Sequence, residues 1–210
     1  MEENHPLAKF DPGRLARYEK ENYVAYYQKR WLKLMRASVG MVKEAFNLSL
    51  RQAIYAAYLV ARAEIAFAPF PENDVPRAEA FMRRFFTYVG KVHHLVFDIE
   101  QAARLQIDWW IVHRNIFGQA NNQELVDALA NSYALTFGVE PARVHTAASY
   151  RAKGMYYSDL WVNEGCQLGS RLLEQEEELL TKSYIELKSA LMTMMDERKE
   201  EYSRDLLTSS

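Results

Sequence analysis

A chain of 210 residues, 49% apolar and 26% charged with a formal net charge of -2, has the balance of an ordinary soluble globular protein. Near neutrality gives no reason to expect nucleic acid or an anionic membrane surface as partner. The single cysteine, Cys166, excludes an intrachain disulfide, and no run of about eighteen apolar residues exists to span a bilayer. The N-terminus, Met1 to Pro6, is polar and acidic, so no secretory signal is expected and a cytoplasmic location is.

The 8 glycines and 6 prolines fall mostly between helical segments, which argues for a few long elements. Residues 1–10 are expected to form a flexible arm, and 11–207 a single helical-bundle domain. Asp11-Pro12 is a helix start, with an aspartate to accept free amides and a proline whose missing N–H costs nothing there. That first helix is expected to run to Phe46, with Val24, Tyr27, Trp31, Leu34 or Met35, Ser38, Val42 and Ala45 on its buried seam. Glu19, Lys20 and Lys33 lie off the seam and read as a solvated face. Ser49 with Gln52 forms a capping box for a second helix from Leu50 to Ala68. Its face of Ala53, Ala57, Val60, Ala61 and Glu64 is expected to be buried.

Asp74 and Pro76 start the third helix, expected to continue unbroken to Phe117, about forty residues and roughly 60 Å long. It carries Trp109, Trp110 and three of the five histidines. Apolar residues surround it, as on a helix contacted from most sides. Asn122 caps a fourth helix, Gln123 to Phe137, ended by Gly138. Pro141 opens a fifth, to Glu164. Ser170 caps the last, to Leu207, with Leu173, Leu180, Tyr184, Leu187, Leu191 and Met194 as its seam. Glu174, Glu176, Glu177 and Glu178 suit the positive end of its dipole. The resulting fold class is all-α: an antiparallel bundle of about six helices, three of them long, with a four-helix core and accessory helices.

Five polar residues sit on otherwise apolar faces: Glu64, Gln106, His113, His145 and Asp159. A buried charge must be paired or bound to metal, so structural pairing competes with a carboxylate–histidine metal site. Glu64, Gln106 and His113 are the candidate ligands, with iron or manganese as the candidate metal. The Glu-x-x-His repeat of di-iron bundles does not occur. Phosphate-binding loops and serine-nucleophile motifs are absent, and Cys166 has no histidine beside it in sequence. Thirteen tyrosines, ten phenylalanines and four tryptophans remain to be explained. Trp109, Trp110, Tyr157 and Trp161 are candidates to line a pocket for a small apolar ligand. Met192, Met194 and Met195 form an adaptable patch suited to a second copy of the chain.

Three functions follow as expectations. The first is a homo-oligomeric interaction or scaffolding protein. The second is a ferritin-like metal carboxylate protein with oxidase or storage chemistry. The third is a binder of an apolar small molecule.

Overall fold

The computed structural model describes residues 6–208, which are helical with no strand among them. A 3₁₀ turn, Pro6–Ala8, precedes eight α-helices: α1 (Pro12–Tyr27), α2 (Trp31–Ala45), α3 (Leu50–Phe67), α4 (Val75–His93), α5 (Ile99–Asn115), α6 (Gln123–Phe137), α7 (Pro141–Asn163) and α8 (Arg171–Thr208). The caps read from sequence are in place. Asp11 Oδ1 accepts from Arg14 N at 2.7 Å. Ser49 and Gln52 make both bonds of the capping box, Asp74 accepts from Arg77 N, and Asn122 accepts from Leu125 N. Gly138 ends α6 at φ 67°, a left-handed position that suits glycine.

Eight helices stand where about six were expected because two of the expected helices break. The first does so at Lys29, which takes φ 56°, and Arg30 N reaches back to Ala25 O at 2.8 Å. The chain turns, α2 packs on α1, and the single seam assumed across the break dissolves. Trp31, expected to be buried, is exposed, as is Met35, while its alternative on the seam, Leu34, is partly buried. Gly40 is needed here: a Cβ would lie 2.5 Å from the Tyr18 ring of α1.

The rod expected over Val75–Phe117 is also two helices. His94 is left-handed at φ 54°, Leu95 N bonds Gly90 O at 2.9 Å, and Asp98 caps a new helix by accepting from Gln101 N at 2.9 Å. Folding back lets α4 and α5 bury their apolar faces against each other, with Phe97 stacked edge-on to Phe86 at 5.9 Å. A straight rod would leave much of that surface wet.

Each helix packs on its successor in sequence, and α1 packs on α8. The order therefore closes into a ring, in place of a four-helix core with satellites, and one apolar core draws residues from every helix. Of the arm expected over 1–10, residues 1–5 lie outside the described residues. Residues 6–10 are packed: Leu7 and Phe10 are each 1% exposed. Lys188 Nζ of α8 holds Phe10 O at 2.9 Å. Met194 and Met195 turn into the core, which leaves only Met192 of the expected methionine patch exposed. No helix among the described residues is long and apolar enough to cross a membrane.

Candidate functional site

The ring of helices surrounds a cavity of about 130 Å³, and all eight helices contribute to its wall. One side is apolar. Leu15 comes from α1, Met41, Val42 and Ala45 from α2, Val60 from α3, and Met82, Phe85 and Phe86 from α4. Phe10, Phe46, Phe137 and Leu187 complete it. The other side is mixed, with Gln106 from α5, Ser132, Tyr133 and Thr136 from α6, Arg151 from α7 and Tyr184 from α8. Ser132, Tyr133 and Thr136 share a wall because residues one and four apart on a helix fall within one broad face.

Arg151 is the one charged residue lining the cavity among the described residues, and its charge is spent. Its Nε and Nη2 donate to Glu19 Oε1 of α1 at 3.0 and 2.8 Å. Its guanidinium carbon lies 5.0 Å from the Trp109 ring centre and 5.6 Å from that of Tyr133. Burial works to discharge Arg151, but the Glu19 carboxylate overrides it and holds the guanidinium well above its usual pKa. The Tyr184 hydroxyl donates to the other Glu19 oxygen. Burial, then the charge of Glu19, keeps that phenol protonated. Tyr133 differs: its hydroxyl is buried and makes no hydrogen bond. Burial raises its pKa, against the opposing pull of Arg151 and of the Ser183 hydroxyl beside it.

Beyond this wall lies a second polar cluster. Asp159 of α7 is 2% exposed and accepts from the Tyr23 hydroxyl at 3.0 Å, His113 Nε2 at 3.1 Å and Gly118 N at 2.9 Å. A carboxylate only accepts, so His113 carries its proton on Nε2. Burial, then Asp159, pushes the Tyr23 phenol far above its ordinary value. Trp161 is fully buried beside Tyr23 and Tyr27, its Nε1 donating to Gln167 O at 2.7 Å. Glu176 of α8 is equally buried, but its Oε2 makes no hydrogen bond. Burial, and then the charge of Glu19, raises its carboxyl to about 8, against the opposing pull of Lys20.

The residues expected to bind metal are dispersed. Glu64 is exposed on α3, where a buried face was expected. Protein crowding favours raising its carboxyl toward about 7, yet its open side chain argues for an ordinary surface acid. Gln106 lines the cavity, whose wall includes neither Glu64 nor His113. His113 is engaged by Asp159. His145, half exposed, meets Gln123 at 3.0 Å. Among the described residues no three histidine, cysteine, aspartate or glutamate side chains are grouped to hold an ion.

The aromatic candidates also lie off the cavity. Trp109 stacks under Arg151, Trp110 meets Phe67 at 5.4 Å, Trp161 fills core, and Tyr157 rests on Tyr156 at 5.6 Å. The cavity wall came from residues that no chemical motif singled out. Glu19, expected on a solvated face, is instead largely covered and paired with Arg151, and Glu176, read only as a charge suiting the helix dipole, is buried. Each stands three or four residues from side chains that turn inward, Leu15–Glu19–Tyr23 and Leu173–Glu176–Leu180.

No family model matches the chain, and no match was found among curated proteins or solved structures.

Proposed function

We propose that the protein binds a small apolar molecule in the cavity at the centre of its helical ring. The observation behind this is the wall: about 130 Å³ of space with phenylalanine, methionine and aliphatic side chains on one side and a few polar groups on the other. Binding sites have this make-up. An apolar cavity of about 150 Å³ engineered in another protein stays dry and takes up benzene. Filling such a space restores dispersion contacts that a void forfeits.

A ligand that prefers the native state raises the melting temperature. Benzene and toluene are therefore expected to stabilise the protein in a thermal-shift titration. They are also expected to move the methyl resonances of Met41 and Met82, which line the cavity. Ala45→Leu, which projects into the same space, is expected to abolish both responses. Probes that leave melting temperature and methyl spectra unchanged would sink the proposal.

A second reading, self-association, is supported by α3. Leu50, Ile54, Tyr58 and Ile65 are exposed at steps of four, four and seven, which makes an apolar stripe facing away from the core. A second copy laid along this stripe gives the homo-oligomer. Light scattering is expected to report more than one chain, and Ile54→Glu with Ile65→Glu to return it to a monomer. A wild-type monomer at high concentration counts against this reading alone.

A further inference from the structure

The first two turns of α2 stand outside the core. Trp31, Leu32 and Met35 are 62%, 75% and 58% exposed, although Val42, two turns beyond Met35 on the same face, is buried. An apolar face therefore runs past the part that the bundle covers. We infer that this end of α2 lies on an anionic lipid bilayer, with Trp31, Leu32 and Met35 in the boundary between headgroups and acyl chains and the flanking cations against the headgroups. The inference goes beyond the cavity and does not depend on it.

Three observations point to a bilayer. The first is charge. Between Glu21 and Glu44 stand Lys29, Arg30, Lys33, Arg36 and Lys43 and no acid, in a chain whose net charge is -2. The average that suggested no anionic partner hides this segment. Lys29, Arg30, Lys33 and Arg36 are exposed and make no ion pair among the described residues. Arg30, Lys33 and Arg36 line an open groove of about 670 Å³, which Glu21 of α1 and Glu174 of α8 also line, yet neither acid pairs with them. A second copy laid on this helix by two-fold symmetry would bring the same cations together, which opposes self-association here.

The second is arrangement. At 100° per residue Trp31, Met35 and Leu32 fall within an arc of about 100°, and Arg36, Lys33 and Arg30 fill the next arc of about 120°. A tryptophan- and leucine-bearing face beside a basic one is the pattern of helices that lie in the plane of a membrane interface. The third is the company of other aromatic residues. Tyr26, 49% exposed, closes α1 just before the turn, and Phe70, 71% exposed, comes from the loop between α3 and α4. Arg114 joins them: its guanidinium carbon is 5.7 Å from the Phe70 ring centre, and it interacts electrostatically with Tyr26. Tryptophan and tyrosine are enriched at headgroup depth. Glu72 and Asp74 follow Phe70, and Glu164 stands in the turn before α8, so the attraction to an anionic surface comes from α2.

Trp31 reports on the contact by itself, because Trp109 and Trp161 are buried and Trp110 packs on Phe67. Vesicles of phosphatidylcholine with phosphatidylserine are expected to co-sediment the full chain at low salt, and brominated lipid to quench its tryptophan emission. Trp31→Phe is expected to keep the sedimentation and lose the quenching. Lys33→Gln with Arg36→Gln is expected to weaken binding about thirtyfold, at about fivefold for each cation near an anionic surface. Leu32→Ser with Met35→Ser is expected to weaken it about tenfold or more through lost apolar burial. All four of these side chains are exposed, so melting temperatures should move little. Full binding by the serine variant would overturn the inference, because the apolar face would not be entering the bilayer. Sedimentation without quenching would overturn it by placing the contact elsewhere on the molecule. No sedimentation of the wild type at low salt would overturn it as well. A Trp31 emission shift produced by polyglutamate and not by vesicles would assign the face to an acidic protein instead.

Discussion

Asp159 and Glu176 are a natural pair to compare. Both are carboxylates, both are 2% exposed, and they stand on α7 and α8, which pack against each other. Asp159 receives three hydrogen bonds from three separate segments: Tyr23 of α1, His113 of α5 and the Gly118 amide of the loop before α6. Glu176 has an oxygen that receives none, and its carboxyl rises to about 8. Burial alone does not decide whether an interior acid is a fastener or a burden; the donors aimed at it do.

The largest expected effect tests the fastener. Asp159→Ala leaves the imidazole, the Tyr23 phenol and a backbone amide without their acceptor at once, which costs on the order of 4 kcal/mol. Urea denaturation measures it. A loss below about 1 kcal/mol would mean that water replaces the carboxylate and that the cluster is not as closed as its exposure indicates.

The next tests the burden. Below the ordinary carboxyl value of 4.5 Glu176 is protonated in both folded and unfolded chains, and its burial carries no charge penalty. As pH rises from there to about 8 the unfolded chain ionises while the folded one holds its proton, so stability falls; above about 8 the loss levels off. Between pH 5 and 8 the fall is about 3–4 kcal/mol, at roughly 1.4 kcal/mol per pH unit. Glu176→Gln, with the same shape and no proton to lose, is expected to remove this part of the slope and to be the more stable protein at pH 8. Parallel stability profiles for the two proteins between pH 5 and 8 would contradict the environment assigned to Glu176.

Much of the fold could be read from local chemistry. Aspartate, asparagine, serine, proline and glycine punctuate the chain, and α3, α6 and α7 begin where those residues place them. The two missed breaks have no proline and no turn glycine. At Lys29 and His94 ordinary residues take left-handed positions because two halves of an amphipathic stretch bury more by folding together. That gain is tertiary and leaves little local mark, although Asp98 followed by Gln101 was a helix start in plain view. The candidate metal residues are dispersed for a related reason. Glu64 was assigned to a buried face by periodicity, but α3 packs through the arc of Ala53, Ala56, Leu59, Ala63 and Phe67. The cavity was least legible, because its wall takes residues from all eight helices and no stretch of sequence holds more than a fraction of it.

The smallest effect sharpens the comparison by moving it to phenols. Tyr184 and Tyr133 both line the cavity, both are nearly buried and both have raised pKa values, but only the Tyr184 hydroxyl makes a hydrogen bond. Removing the two hydroxyls should therefore have opposite signs. Tyr184→Phe takes a donor from Glu19 and is expected to cost about 1–2 kcal/mol, as for a hydrogen bond to a charged group. Tyr133→Phe takes away a desolvated group that bonds to nothing and is expected to leave the unliganded protein unchanged or more stable by up to about 1 kcal/mol. Thermal and urea unfolding of the two variants without added ligand separate these outcomes. A Tyr133→Phe loss as large as that of Tyr184→Phe would show that the hydroxyl is already satisfied in the free protein, by the Ser183 hydroxyl beside it.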